Sequence, residues 1–285
     1  MDAIHWHNGT WHKTARPLLG LGDNSFWMGN SVFDGARTYE GVTPDLDRHC
    51  ARALRSAAIM LLRPPLDVET LIDICLEGVA MFEPEAELYI RPMFYARGGF
   101  IIPDPDTTEC AVVIHRAPMP SQEGFSACMA PFRRPDPDMA PTQAKASCLY
   151  PLTQHALSYA HAHGFDNALL CNSHGDVAEF STCNIMIASG STLVTPEADG
   201  TFLAGITRMR VIALMRDAGM DVVERRLRPE DVFEADEVFS TGNYGKVLPV
   251  RRLGDRDLGH GPMARRAAAL YRAYAHDTAR EAVTC

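Results

Sequence analysis

Lysine is scarce in this chain, and one of its few lysines sits where an amine could do chemistry. Of the 27 basic residues only Lys13, Lys145 and Lys246 are lysines, the rest being arginine. Arginine carries the surface charge, so Lys145 stands out in the weakly charged run Pro141-Thr-Gln-Ala-Lys145-Ala-Ser-Cys-Leu-Tyr150-Pro151. Its amine can lose a proton and act as a nucleophile, which a guanidinium cannot. A carboxylate comes next, in Gly175-Asp-Val-Ala-Glu179-Phe-Ser-Thr-Cys-Asn184, just ahead of an apolar strand. Phe202-Leu-Ala-Gly205-Ile206-Thr207-Arg208 leads into a helix, and its glycine and first-turn N–H groups suit an anion such as phosphate; a simple N-cap at Thr207 is the plainer reading. Thr241-Gly242-Asn243-Tyr244-Gly245 follows a strand and reads as a second phosphate nest or as a turn.

Singly, each feature has an ordinary explanation: a solvated lysine, a strand-edge charge, a cap, a turn. Together they form a chemical set. An amine can hold an aldehyde cofactor as a Schiff base, and a carboxylate can keep a pyridine nitrogen protonated so that the ring takes up carbanion charge. A phenol can hydrogen-bond the ring oxygen, while amides and an arginine bind a phosphate. That set describes pyridoxal 5′-phosphate.

The order of the segments resembles the class IV, fold-type IV pyridoxal-phosphate aminotransferases, and most closely those acting on branched-chain amino acids. Ser31-Val-Phe33-Asp-Gly35-Ala-Arg37-Thr-Tyr-Glu-Gly41 resembles the family's early pocket strand, and His49-Cys-Ala-Arg52, with Ser56 beyond it, its His-x-x-Arg helix. Tyr89-Ile-Arg91-Pro92 is similar to the branched-chain pocket segment, and Glu237–Gly242 with Val247–Val250 to the late strand. The resemblance implies a Schiff base at Lys145, with Tyr150 on the ring oxygen and Glu179, supported by Asn184, on the ring nitrogen. It gives the phosphate to Arg52, Gly205, Ile206, Thr207, Gly242 and Asn243. The substrate pocket falls to Met28, Phe33, Gly35, Arg37, Tyr89, Arg91 and Tyr244. Two places depart from the family pattern: Met28 replaces a tyrosine, and Gly242-Asn243-Tyr244 replaces Gly-Thr-Ala. These changes reshape the carboxylate end of the pocket. The implied reaction moves an amino group from an apolar, branched-chain amino acid to a 2-oxo acid such as 2-oxoglutarate. D-amino acid or (R)-amine transamination, or a lyase reaction like that of the aminodeoxychorismate lyases, are the alternatives. The resemblance also implies a homodimer or larger homo-oligomer.

Composition agrees by exclusion. A net charge of −9 with no basic stripe disfavours nucleic acid. No apolar run approaches the roughly 20 residues of a bilayer span, and the start Met1-Asp-Ala-Ile-His-Trp6 lacks the features of a signal peptide. A cytoplasmic enzyme without membrane contact is the expectation. Eight scattered cysteines without a CxxC pair read as free thiols, and the eleven histidines show no metal-binding spacing, so no metal is expected.

The 285 residues suit one large domain or two modest ones. Asn8-Gly9 predicts a hairpin turn within Ile4–Trp11. Arg48–Leu62 reads as an amphipathic helix with Arg48, Arg52 and Arg55 on its polar face, and Asp67–Phe82 as a second helix. Glu87–Tyr95 and Cys110–His115 read as strands. Ala117–Glu123, with two prolines, reads as a boundary, and Arg133–Pro141 as an extended loop. Pro151–His163, Thr207–Ala218 and Gly261–Arg280 read as helices, and Ala168–Cys171, Asn184–Ala188, Thr192–Val194 and Glu237–Ser240 as strands. Arg97-Gly-Gly-Phe100 reads either as a mobile lid or as a static turn. The expected architecture is α+β or α/β in two domains: a smaller α/β domain over residues 1–116, a linker at 117–123, and a larger pseudo-barrel domain over 124–285 that binds the cofactor.

Overall fold

The structure, a computed structural model, describes residues 2–259 and 261–283, with side chains through residue 277; Cys285 lies outside it. The chain forms two compact units. In the first, β1 (Ala3–His7) and β2 (Thr10–His12) turn through Asn8 at φ 49° and Gly9 at φ 78°. Both angles are left-handed, as a two-residue hairpin turn requires. There follow α1 (Asn24–Trp27), β3 (Ser31–Phe33), β4 (Ala36–Thr38), α2 (Leu46–Ile59), α3 (Val68–Val79), β5 (Leu88–Ala96) and β6 (Thr108–Arg116). The six strands form an antiparallel sheet in the order β2-β1-β6-β5-β3, with β4 also on β5. Asp67 caps α3 by accepting from the Thr70 N–H at 2.9 Å. Cys50, Ala53 and Ala57 of α2 and Leu71, Ile74 and Cys75 of α3 pack on Ile90, Phe94, Val112 and Ile114 of the sheet. Each fully buried leucine, isoleucine or phenylalanine there contributes about 1.5–3 kcal/mol.

The glycine pair at 98–99 forms a tight hydrogen-bonded turn. Gly98 N–H donates to Thr107 Oγ1 at 2.7 Å, and Arg97 binds both Asp23 and Glu109. Gly99 holds φ 98°, and a Cβ there would lie 2.2 Å from the Ile102 carbonyl oxygen.

The second unit holds β7 (Phe125–Arg134), α4 (Tyr150–Ala162), β8 (Asn167–Asn172), β9 (Val177–Phe180), β10 (Asn184–Ser189), β11 (Thr192–Pro196), α5 (Ile206–Asp217), β12 (Asp221–Arg225), α6 (Pro229–Glu234), β13 (Glu237–Gly242), β14 (Lys246–Leu253), β15 (Arg256–Asp257) and, through Asp277, α7 (Pro262–Val283). Its sheet runs β12-β11-β10-β13-β14-β7-β8-β9, with β15 on β14. The far strand β9 returns beside β10, where Phe180 N–H donates to the Cys183 carbonyl at 2.9 Å, so the sheet curls into a pseudo-barrel. Alternation along β10 divides the core: Ile185 and Ile187 pack with Leu169, Phe180 and Val250, whereas Met186 and Ala188 pack with α5 and α7.

Phe125–Arg134 is a strand, so Arg133 and Arg134, read as the start of a loop, belong to it; its one proline, Pro131, falls where the β7–β8 register jumps between Met129 and Arg133, a bulge that spares the ladder a missing donor. The short strand β9 was hidden because four residues give no readable alternation, and it places Glu179 within a strand. The units divide after Met119, and Gln143–Leu149, with Lys145, falls in the first unit. Lys145 N–H donates to Ser56 Oγ at 3.1 Å, Phe33 N–H to the Lys145 carbonyl at 3.1 Å, and Ser31 Oγ to Ser147 Oγ at 2.9 Å.

Candidate active site

In the first unit the backbone of Lys145 is fixed by the hydrogen bonds to Ser56 and from Phe33. Lys145 Nζ lies 5.2 Å from the centroid of the Phe33 ring. Two residues on, Gly35 sits so close to Tyr89 that a Cβ would lie 2.1 Å from the phenol oxygen, so any larger residue would displace the Tyr89 ring. Arg37 of β4 is fully buried, stands opposite Tyr89 in the ladder and donates to the Ala117 carbonyl. Arg91 reaches over the Tyr89 ring, 5.4 Å from its centroid, and its Nε is buried with no hydrogen-bond partner. His115 stacks against Tyr89 at 5.5 Å; burial, then the charges of Arg91 and Arg37, lower its pKa, so the imidazole tends to stay neutral beside two guanidinium groups. Phe33, Gly35, Arg37, Tyr89 and Arg91 are thus one cluster, with donors suited to a carboxylate. Met28, 40% exposed at the end of α1, is not brought to it by any described contact.

Arg52 departs from its expected polar-face setting. Arg48 and Arg55 are exposed, whereas Arg52 is buried and bound to Asp34, Nε to Oδ2 at 2.6 Å and Nη2 to Oδ1 at 2.9 Å. His49 Nδ1 lies 2.7 Å from Asp34 Oδ1, which also accepts the Gly35 N–H at 2.7 Å. Burial alone would raise the Asp34 carboxyl, but Arg52 and His49 outweigh it and hold the group far below the ordinary carboxylate range. The His-x-x-Arg spacing puts both donors on one helix face, one turn apart, with Asp34 as their common acceptor. Sequence reasoning missed Asp34; its place directly before Gly35 in the early strand was the available signal.

In the second unit Glu179 is buried, and both its oxygens face donors. Asn184 Nδ2 donates to Oε2 at 3.2 Å, and Arg134 Nε lies 3.3 Å from Oε1. Arg134 also donates to the Thr201 carbonyl, and Asn184 to that of Leu203. Asn184 therefore ties the carboxylate to the 203–207 loop, and its β-ladder partner Thr241 brings in the 241–243 loop. Gly205 is the N-cap of α5, which displaces the plainer reading of Thr207 as a cap; Thr207 lies in the first turn, and no side chain caps the helix. Thr207 Oγ1, Thr241 Oγ1 and Asn243 Nδ2 are buried without partners. Three orphaned polar groups on two adjoining loops, beside a helix N-terminus with no side-chain cap, fit a phosphate. Arg134 was not legible as a site residue, while Thr241 stood in the run read as a second phosphate nest or a turn. Tyr150 opens α4, half-buried, and Tyr244 is 60% exposed at the hairpin tip.

A Cβ on Gly205 would lie 2.0 Å from Asn184 Oδ1. Gly205→Ala is therefore expected to push Asn184 off its two acceptors and weaken pyridoxamine 5′-phosphate binding at least about tenfold. Calorimetric titration checks this; unchanged affinity would show that the loop tolerates the methyl.

A family model described as amino-transferase class IV matches residues 31–253. The chain belongs to the class IV aminotransferases. It is a pyridoxal-phosphate-dependent transaminase of the branched-chain-like group, and its fold is fold type IV. Among its relatives, a probable branched-chain-amino-acid aminotransferase of Rickettsia felis is 30% identical over 91% of this chain and 90% of its own length. An aminotransferase of Brucella abortus, solved with pyridoxal phosphate bound, is 43% identical with a TM-score of 0.95, covering 97% of this chain and 100% of that one. The branched-chain aminotransferase of Thermoproteus uzoniensis, solved with norvaline, is 31% identical with a TM-score of 0.88, covering 95% and 94%. Among the described residues of this transaminase no cluster could hold a metal ion, and no helix is long and apolar enough to cross a membrane.

Proposed function

We propose that this transaminase moves the amino group of an apolar, branched-chain L-amino acid to a 2-oxo acid such as 2-oxoglutarate, with Lys145 as the covalent anchor and proton carrier. Bound pyridoxal phosphate supplies an aldehyde that takes up nitrogen and a ring that absorbs carbanion charge. The observation that carries the reading is the set of unpartnered donors on the 203–207 and 241–243 loops, which suits a phosphate and little else in a chain of this family.

Each residue has a defined task. Lys145 Nζ would anchor the cofactor's aldehyde and, as a free amine, would carry the donor's α-proton as a general acid–base group. Glu179, held by Asn184 and Arg134, accepts the ring N–H. Tyr150 donates to the ring oxygen. In the second unit Gly205, Ile206, Thr207, Gly242 and Asn243, with Thr241, would hold the phosphate, a role that the family resemblance gives to Arg52 as well. Phe33, Gly35, Arg37, Tyr89 and Arg91 would line the substrate pocket, where the guanidinium groups favour carboxylates; Met28 and Tyr244 are assigned to it by the family resemblance alone. The relatives named above as branched-chain aminotransferases support the apolar donor.

Borohydride reduction with pyridoxal phosphate should place a pyridoxyl group on the Lys145 peptide. A donor panel of L- and D-amino acids and chiral amines, with 2-oxoglutarate or pyruvate as acceptor, should give the highest rates with valine, leucine or isoleucine. Preference for D-amino acids or (R)-amines would replace the substrate assignment. Pyruvate released without an added oxo acid would mark a lyase.

A homodimer in the cytoplasm completes the proposal. In the first unit Leu21 is 85%, Phe100 76% and Ile102 70% exposed, with Phe26, Trp27 and Ile101 also outside. Apolar exposure on that scale suits a face covered by a second copy. Light scattering tests it, and a monomer at micromolar concentration would remove it.

A further inference from the structure

The β13–β14 hairpin carries a lysine under two local penalties. Asn243-Tyr244-Gly245 joins Gly242 to its register partner Lys246. Lys246 holds φ 59°, the left-handed region, which costs a residue with a Cβ about 1–2 kcal/mol. It is also only 5% exposed, where lysine is rare. Glycine would remove the first penalty and any apolar residue the second, so what Lys246 touches matters. Its Nζ lies 2.8 Å from Asn243 Oδ1 and 5.6 Å from the centroid of the Tyr271 ring on α7, the setting of an ammonium.

An ammonium can only donate, so it selects which end of the Asn243 amide it faces. Oδ1 turns toward the lysine, and Nδ2 must turn away. That Nδ2 is one of the buried, partnerless atoms, with Thr241 Oγ1 on the same hairpin and Thr207 Oγ1 on the adjoining loop. A buried amide donor without an acceptor is unfavourable by about 1–3 kcal/mol. The amide would relax by flipping if the lysine did not hold it.

We propose that Lys246 is a positioning residue for phosphate recognition: it locks the Asn243 side chain with its N–H group offered to the cofactor phosphate. This rests on reading the 203–207 and 241–243 loops as the phosphate site. It explains why a strained, buried lysine is kept three residues after the asparagine.

The test is the affinity of the whole apoprotein for pyridoxamine 5′-phosphate and for pyridoxamine, which lacks the phosphate; neither needs a bond to Lys145. Lys246→Met keeps the apolar stem and removes the ammonium. It should weaken the phosphate ligand about tenfold and leave pyridoxamine unchanged. Asn243→Thr offers a hydroxyl that rotates to donate unaided, so in that background Lys246→Met should change affinity less than about twofold. Lys246→Gly relaxes the backbone while removing the same ammonium. It should show the same selective loss.

A loss shared equally by both ligands, or the same loss with Thr at 243, overturns the proposal. Wild type that prefers the phosphate ligand while Lys246→Met does so equally well overturns it alone. Wild type with no preference for the phosphate ligand overturns the phosphate-site reading and this proposal with it.

Discussion

Lys145→Ala is expected to lower transamination by about four orders of magnitude or more, because it removes the covalent anchor and the proton carrier at once. The loss should be chemical and not structural. The backbone contacts of Lys145, to Ser56 Oγ and from the Phe33 N–H, do not involve its side chain. The melting temperature should stay within about 2 °C of wild type. Two controls sharpen the result. Lys145→Arg keeps a cation but supplies no deprotonatable amine, and should be equally inactive. Small primary amines added to the alanine variant should restore a measurable part of the rate. An arginine variant with substantial activity would mean that Lys145 acts only as a charge.

Asp34→Ala should have the largest effect on stability. Asp34 is fully buried and is the acceptor shared by His49, Arg52 and the Gly35 N–H. Its removal leaves a buried guanidinium without its carboxylate, which costs about 3–5 kcal/mol, a large share of a domain's total stability. Urea unfolding measures it, and a cost below about 1 kcal/mol would show that Arg52 finds another acceptor. The pH dependence has a definite sign. The carboxyl's folded-state pKa lies below its unfolded value near 3.8. Its stabilisation is therefore complete above the unfolded pKa and fades as the pH falls toward the folded one. Wild type should lose stability through this range on acidification, and Asp34→Ala should lack that component. Because Arg52 is proposed to hold the phosphate, the variant should also bind pyridoxamine 5′-phosphate more weakly.

Much of the scaffold was legible. Asn8-Gly9 specified its hairpin because few residue pairs accept two consecutive left-handed conformations. Asp67 marked the start of α3 because its carboxylate caps a first-turn N–H. Gly205 was visible as part of an anion-binding turn, since glycine before a helix is a local signal. The strand β7 was not legible, because proline reads as a breaker until the bulge that accommodates it is known. The inward turn of Arg52 was not legible either: periodicity groups it with Arg48 and Arg55, and only a fully buried acceptor overrules that grouping.

Sequence alone determined the inventory of chemistry: which amine, which carboxylate, which glycine turns and in what order. These depend on residue type and short spacing, which survive without coordinates. Tertiary structure decided the partnerships, because it alone sets distances between residues far apart in the chain. It paired Asp34 with Arg52 across 18 positions and Arg134 with Glu179 across 45. It joined Gln143–Leu149 to the unit of β3. It also left Thr207, Thr241 and Asn243 with buried groups unmatched. Hydrogen-bond satisfaction is a property of packed space, so the unfilled donors that call for a phosphate exist only once the chain has folded.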